Sequence, residues 1–510
     1  MNPRILACAG VMLAGLCCLG QAVAGENWAV RCKSSRNQRL APELDLLQRG
    51  ECRFRGISRS GKAVFTIPED KTNSIRTMAV QMDANVPDVD AKSRRLMISY
   101  AEDGRKPSAE TLTAAGLRLV EDYQRGSFLL VEPHQDVSST TVSALMADDA
   151  VVYAAPDYIV SAAPLSSVST IQAATSANAP NDPLFSHLWG MQNCGATAVW
   201  PTIHDAPKII VAVIDTGVDY NHPDLRGNMW SKNGRYGYDF CDNDSDPMDD
   251  ESHGTHCAGT IAAVGNNGVG VVGVCWKAQI MAMRFMGADG SGSTSDAVKC
   301  IDWAVANGAH ILSNSWAGPD TSRELAEAVT RAEQKGVLFI AAAGNTVGNG
   351  NNNDTSPYYP ASLPNANIIS VAAIDSNRAR GSFSHYGQRS VDIGAPGVGI
   401  VSTVLNGQYA KQDGTSMAAP HVAGAAALVW SRTFASPAQD RVQMARVRDL
   451  IYENARPVPA LKGFWGYTAP AKVPGGVLDI SFLQSGSSGG NPAVRPVVEF
   501  RMKADPAKLR

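Results

Sequence analysis

Three uninterrupted apolar runs constrain this chain more than anything else in it. Ile209-Ile210-Val211-Ala212-Val213-Ile214 and Val337-Leu338-Phe339-Ile340-Ala341 contain no polar residue, and Asn367-Ile368-Ile369-Ser370-Val371-Ala372 carries only its Asn and Ser. A strand with one face in water alternates apolar and polar residues, whereas a strand covered on both faces need not. The periodicity around these runs predicts helices over Ser295 to Asn307, Thr321 to Lys335, His421 to Thr433 and about Pro437 to Asn454. From Asn181 to about Ile480 the expectation is therefore α/β, a mostly parallel sheet with helices on both faces in three α/β/α layers.

A smaller unit precedes it. Leu96–Tyr100 reads as a strand, and Ser108 is placed to cap a helix running to about Ala115. Leu117–Val120 and Ser127–Val131 read as strands joined through Gln124-Arg125-Gly126, then a helix from Ser139 to Ala147 and a last strand, Val151–Tyr153. The order β-α-β-β-α-β is that of a split βαβ, ferredoxin-like domain. It is assigned residues 91–161, with a Ser-, Ala- and Thr-rich linker over 162–180. Residues 25–90 form a polar N-terminal extension, 181–481 the large domain, and 482–510 a tail opening on Ser485-Gly486-Ser487-Ser488-Gly489-Gly490.

Arg4, the apolar run Ile5 to Leu19 and then Ala22-Val23-Ala24 have the layout of a secretory signal, residues 1–24, with a cut after Ala24. The run falls short of the ~18 residues that a span needs, so no membrane anchor is expected. That layout implies an extracellular or periplasmic protein. The net charge of −3 gives no reason to expect a nucleic-acid partner. Outside the signal lie Cys32, Cys52, Cys194, Cys241, Cys257, Cys275 and Cys300. Secretion permits disulfides, and their odd number implies at least one unpaired thiol.

Candidate chemistry sits at the ends of the predicted elements. Asp215 closes the first apolar run, where ligands gather beyond the carboxyl ends of parallel strands. His253 opens the small-residue stretch His253-Gly254-Thr255-His256-Cys257-Ala258-Gly259-Thr260. Ser416 stands within Gly414-Thr415-Ser416-Met417-Ala418-Ala419-Pro420-His421-Val422-Ala423-Gly424, in the first turn of a buried helix, with Pro420 expected inside that opening turn. Each alone reads as a strand-end cap, a structural histidine or a helix cap. Together they supply what serine chemistry needs: a hydroxyl, a base to take its proton and a carboxylate to fix the imidazole tautomer.

The segments Val213-Ile214-Asp215-Thr216-Gly217-Val218-Asp219, His253–Gly259 and Gly414–His421 resemble the motifs of the subtilisin-like serine proteases, the subtilases. The resemblance covers about Asn181 to Ile480. It implies a serine endopeptidase acting on proteins or peptides, with Asp215 orienting the imidazole, His253 as base then acid, and Ser416 as nucleophile. Ala341-Ala342-Ala343-Gly344-Asn345 resembles the segment ending in the oxyanion-hole asparagine, so Asn345 and the Ser416 N–H would hold the developing oxyanion. The substrate would be added as a strand between Gly287–Gly292 (Gly290, Ser291 and Gly292) and Ser313–Pro319 (Ser315, Trp316, Ala317 and Gly318). A primary pocket walled by Ser315, Trp316, Ala317 and the Ala343-Gly344 backbone implies a broad, apolar-leaning preference, and Thr216 stands where relatives specific for dibasic sites carry an acid.

The same resemblance implies structural calcium. Asp182, Asp224 and Asn267, with carbonyls from Val264 to Val271, match one family site; Asp239, Asp242 and Asp244 match a thermitase-type second site, although Met248 replaces one oxygen donor. Cys257 resembles the free thiol near the histidine in proteinase K-like members, leaving Cys194, Cys241, Cys275 and Cys300 for up to two disulfides. The small domain resembles the family's inhibitory prodomain, expected to lay its last strand in the cleft until the chain is cut between about Ser161 and Asn181. The expectation is a secreted, monomeric enzyme made as a zymogen. Two rivals are a specific processing protease, which cleavage of a peptide pool would separate, and a catalytically silent binding protein, which an active-site phosphonate would separate.

Overall fold

The computed structural model describes residues 53–57, 63–66, 95–101, 103–134, 145, 148–162, 180–466 and 472–484. The expected signal, Cys32 and Cys52, most of the helix expected over Ser139 to Ala147, nearly all of the linker, and the tail beyond residue 484 lie outside them. Arg53–Ile57 and Ala63–Thr66 pair antiparallel within the N-terminal extension.

The large domain is built on a nine-stranded sheet in the order Arg456–Pro457, Gly476–Val477, Ile393–Pro396, Ile368–Ile374, Leu338–Ala342, Ile311–Asn314, Asp205–Asp215, Lys277–Arg284 and Gly237–Asp239. Its pairings are parallel except that of the first two strands. Side-chain alternation explains why the strands read as unbroken apolar runs. Ile209, Val211 and Val213 enter one core with the helices His253–Ala262, Thr415–Thr433 and Arg441–Glu453. Ala212 and Ile214 enter the other, with the helices Thr294–Ala306 and Arg323–Gln334. Both faces are covered, giving the expected three layers.

The Ser416 helix begins at Thr415, so Ser416 stands in its first turn as expected; the helix extends six residues ahead of the periodic stretch from His421 and is buried as far as Trp430. Its small residues let it approach the His253 helix closely: a Cβ on Gly424 would lie 2.8 Å from the Ile261 carbonyl oxygen. Pro420 sits inside this helix, beyond the opening turn expected for it. The helix expected from Pro437 starts at Arg441, because Asp440 accepts the N–H groups of Val442 and Gln443 and caps it there.

The small domain has four antiparallel strands in the order Leu117–Tyr123, Phe128–Pro133, Leu96–Tyr100 and Val151–Pro156, the last running three residues beyond its prediction. Ser108 caps the helix Ala109–Ala114 by accepting the Thr111 N–H at 3.0 Å. Ile98, Leu129 and Val131 fill the domain's own core, while Met97, Phe128 and Leu130, on the opposite face, join the large domain's second core. Polar contacts ring that junction. Tyr123 donates to Asp302 at 3.0 Å, Lys299 reaches Glu121 at 2.6 Å, and Ser99 bonds buried Glu324.

Beyond Pro156 a separate strand, Ile159–Ala162, leaves the small domain. It runs antiparallel between Ser291–Ser293 and Trp316–Ala317, completing a three-stranded sheet on the large domain.

Candidate active site

Asp215 is the last residue of its strand and His253 the first of its helix, so the topology brings two side chains 38 residues apart into contact. His253 Nδ1 lies 2.7 Å from Asp215 Oδ1, which also accepts the Thr216 N–H at 2.8 Å. Both residues are buried. Burial disfavours the charged imidazole, but the charge and hydrogen bond of Asp215, aided by Glu251 and Asp249, outweigh it and hold the His253 pKa above its ordinary value. His253 Nε2 is buried without a hydrogen-bond partner. A buried ring nitrogen left without a partner calls for an explanation.

The turn before His253 is held by carboxylates. Asp249 accepts the N–H groups of Glu251 at 2.9 Å and Ser252 at 3.0 Å, and also that of Thr255 at 3.0 Å. Glu251 Oε2 accepts the His253 N–H at 2.6 Å. Gly254 must lack a Cβ, which would lie 2.0 Å from the Gly217 carbonyl oxygen. Neither Asp249 nor Glu251 was singled out in the sequence, although two acids just ahead of a helix start are a capping signal.

Ser416 occupies the second position of its helix and is buried. Its hydroxyl donates to the Ser315 carbonyl at 2.8 Å, and no hydrogen bond joins it to His253. The Ser315 hydroxyl in turn donates to the Ser416 carbonyl at 2.9 Å, where Cys257 Sγ also donates at 3.4 Å. Pro420 has no N–H to give that carbonyl, which accounts for the side-chain donors gathered there. Asn345 Oδ1 accepts the Thr415 N–H at 2.9 Å, which leaves its Nδ2 as the donor available to the cleft. Gly344 has φ +110° and donates to Thr415 Oγ1 at 3.1 Å; buried Ala343 precedes it.

The strand Ile159–Ala162 registers on the expected substrate edges. Ser291 and Gly292 stand opposite Ser161 and Val160, and Ala317 and Trp316 opposite Ser161 and Ala162. The Gly290 carbonyl accepts the Ala162 N–H at 2.9 Å. A Cβ on Gly318 would lie 3.1 Å from Val160 Cγ1, so this glycine makes room for the valine. The Trp316 ring is buried edge-on to Phe285, with centroids 5.2 Å apart, in the apolar cluster that also holds Val160. The Ser315 hydroxyl is engaged with the Ser416 carbonyl.

One of the two expected calcium sites has a fitting donor set. Asp182 and Asp224 are buried and meet on one loop, where Asp182 accepts the Asn266 N–H at 2.8 Å and Asp224 Oδ1 accepts Asn267 Nδ2 at 2.8 Å. Burial, with the Asp182 charge adding to it, pushes the Asp224 carboxyl up to about 6. Crowded hard oxygen donors whose charge is disfavoured without a cation suit calcium. At the second loop Arg284 bonds Asp239, reaches Asp242 at 2.8 Å and Asp250 at 2.7 Å, and Asp244 Oδ1 accepts the Asp246 N–H. A guanidinium already balances Asp239 and Asp242, so this donor set does not fit an ion as the first does.

The five described cysteines form no disulfide with one another. The buried four donate to the carbonyl oxygens of Met191 (Cys194), Lys277 (Cys275), Ser416 (Cys257) and Arg284 (Cys300), with burial holding their thiols above the ordinary range.

The sequence profile of the subtilase family matches residues 206–474. The chain is 44% identical to thermitase of Thermoactinomyces vulgaris over 254 residues, covering 50% of this chain and 86% of that protein. It is 43% identical to subtilisin Savinase of Lederbergia lenta over 256 residues, covering 50% and 87%. It is 40% identical to a thermophilic serine proteinase of Bacillus sp. (strain AK1) over 292 residues, covering 57% and 66%. With the parallel sheet and the paired Asp215 and His253, these likenesses identify the chain as a member of the subtilase family, a subtilisin-like serine endopeptidase.

Proposed function

We propose that the chain is a secreted zymogen whose mature enzyme cleaves peptide bonds through Asp215, His253 and Ser416, with a broad, apolar-leaning preference. The observation that supports this most is the 2.7 Å contact of His253 Nδ1 with Asp215, which leaves Nε2 buried and unpartnered on the other side of the ring. Rotation about the Ser416 Cα–Cβ bond between staggered positions releases the hydroxyl from the Ser315 carbonyl toward that nitrogen. Oγ then attacks the substrate carbonyl carbon as Nε2 takes its proton, and the carbonyl electron pair moves onto oxygen. Asn345 Nδ2 and the Ser416 N–H hold the oxyanion. Collapse expels the amine, which takes the proton from His253, and a water repeats the sequence on the acyl-enzyme. Asp215 fixes the tautomer throughout.

Residues 91–161 act in this reading as an intramolecular inhibitor. What supports it is the strand Ile159–Ala162, bonded to both edges that a substrate would use. The chain is cut between about Ser161 and Asn181 to release the enzyme. Calcium held by Asp182, Asp224 and Asn267 lends stability by binding only the folded form.

A fluorophosphonate probe tests the nucleophile. It is expected to label Ser416 in the matured protein and to leave Ser416→Ala unlabelled. A matured protein labelled elsewhere, or not at all, overturns the reading.

A further inference from the structure

Two residues ahead of His253 stands a carboxylate that the three-residue scheme leaves unused. Glu251 Oε2 lies 2.6 Å from the His253 backbone nitrogen and accepts its N–H, and the side chain is half-buried. Between the two, Ser252 has φ +109°, a conformation that serine seldom adopts unless its surroundings impose it. Asp249 imposes it by accepting the Glu251 and Ser252 N–H groups. The turn is thus shaped to bring a second negative charge beside the residue that opens the helix.

The charged and titratable groups around this imidazole can be taken element by element. Asp215 comes from the strand, and Asp249 and Glu251 from the turn. His256 and Cys257 follow on the helix itself; His256 is neutral, its pKa lowered to about 3 chiefly by burial, and the Cys257 thiol is held well above its ordinary range by burial. His421, from the Ser416 helix, is likewise kept neutral by burial. The nearby guanidinium of Arg284 is engaged by Asp239, Asp242 and Asp250. The groups left to act on the ring by charge are the three carboxylates, and Glu251 is the most exposed of them.

We propose that Glu251 is a positioning residue for the proton transfer: its hydrogen bond fixes where the His253 helix begins, and its charge favours the imidazolium that forms as Ser416 gives up its proton. This rests on His253 being the general base. Asp215 supplies the direct contact, and Glu251 adds a second, longer-range field from the opposite end of the residue. Such a role predicts a charge effect separable from the hydrogen bond.

The test is the pH profile of kcat/KM for Glu251→Gln and Glu251→Asp in the mature enzyme. Glutamine accepts the same N–H without the charge; aspartate keeps the charge and can accept an N–H two residues on. For E251Q the acid limb is expected at lower pH than in the wild type, with kcat on the alkaline plateau reduced about 3- to 10-fold. E251D should keep the wild-type limb. Should E251Q fail to mature, Glu251→Asn is read in its place, since asparagine also bonds an N–H two residues on. A limb that coincides with the wild type in the neutral variant overturns the proposal. His253→Ala separates the two levels: if it retains activity, the general-base reading fails, whereas a dead H253A beside an unshifted neutral variant sinks only the role of Glu251.

Discussion

Ser315 and Ser416 are hydrogen-bonded to each other twice. The Ser416 hydroxyl donates to the Ser315 carbonyl at 2.8 Å, and the Ser315 hydroxyl donates to the Ser416 carbonyl at 2.9 Å. The second bond compensates for Pro420, four residues on, which cannot supply the helical N–H. The Ser416 backbone is therefore tied sideways to Ser315 as well as along its own helix. Small shifts at Ser315 would move Ser416.

Ser315→Ala isolates this tie. The Ser416 carbonyl would keep only Cys257 Sγ, a weak donor at 3.4 Å. Loss of a buried partner of this kind is expected to cost about 1–2 kcal/mol of stability. Calorimetry should show a lower Tm, and kinetics a several-fold lower kcat with a smaller change in KM. An unchanged kcat would mean that the pairing does not place the nucleophile.

Asn345 offers a cleaner separation of donor from scaffold. Its Oδ1 holds the Thr415 N–H, so Asn345→Ala removes that support as well as the Nδ2 donor. Asn345→Asp keeps an oxygen for Thr415 and replaces the donor by a charged acceptor. Both variants are expected to lose kcat by about 10²- to 10³-fold with KM little changed. The aspartate should be the slower of the two, because its charge would face the oxyanion. Steady-state kinetics on a chromogenic peptide read the difference.

The parallel sheet was legible because strands buried on both faces cannot hide their composition, and Asp215, His253 and Ser416 because each stands at an element's end. Other features depended on contacts between distant segments. Nothing local to Arg284 signals that it balances Asp239 and Asp242, since the strand carrying it reads as ordinary core. Nor does Ser295 announce that Asp157, 138 positions earlier, accepts its N–H and its hydroxyl. Ser416 in the first turn of its helix was legible too, but Pro420 was expected within that opening turn, where a missing N–H does little harm. In the fold it is accommodated inside the helix by Ser315 and Cys257.

Calcium should matter for stability and not for chemistry. Asn267 lies in the loop after the far end of the His253 helix, and Asp182 and Asp224 are hydrogen-bonded to that loop. Chelation with EGTA is expected to lower Tm while leaving the initial rate at low temperature unchanged. At a free ion concentration a thousandfold above Kd, binding adds about 4 kcal/mol. Asp224→Asn should remove most of the EGTA-sensitive part of Tm, whereas Asp244→Asn should leave it. A large effect from Asp244 would restore the second loop as an ion site.

The hold of the small domain on the enzyme should weaken as pH rises. Asp157 is fully buried at the junction, where it accepts the Ser295 N–H and hydroxyl at 2.8 Å each and lies 3.3 Å from Arg95. Burial, opposed by Arg95 and reinforced by the charge of Asp296, pushes its carboxyl up to about 6. Undocked, an aspartate titrates near 4. Docking therefore takes up a proton between these values, so its contribution is full below about pH 4 and is lost as pH rises through about 6. The loss corresponds to roughly ten- to a hundredfold in the docking equilibrium. Glu324, also raised by burial and bonded to Ser99, acts in the same direction. Hydrogen exchange on the full-length Ser416→Ala protein, corrected for intrinsic rates, should show Ile159–Ala162 better protected at pH 4.5 than at pH 7. Asp157→Asn should shrink that difference, and adding Glu324→Gln should remove most of the rest. Equal protection at both pH values in the parent protein would leave Asp157 as a cap for the helix and nothing more.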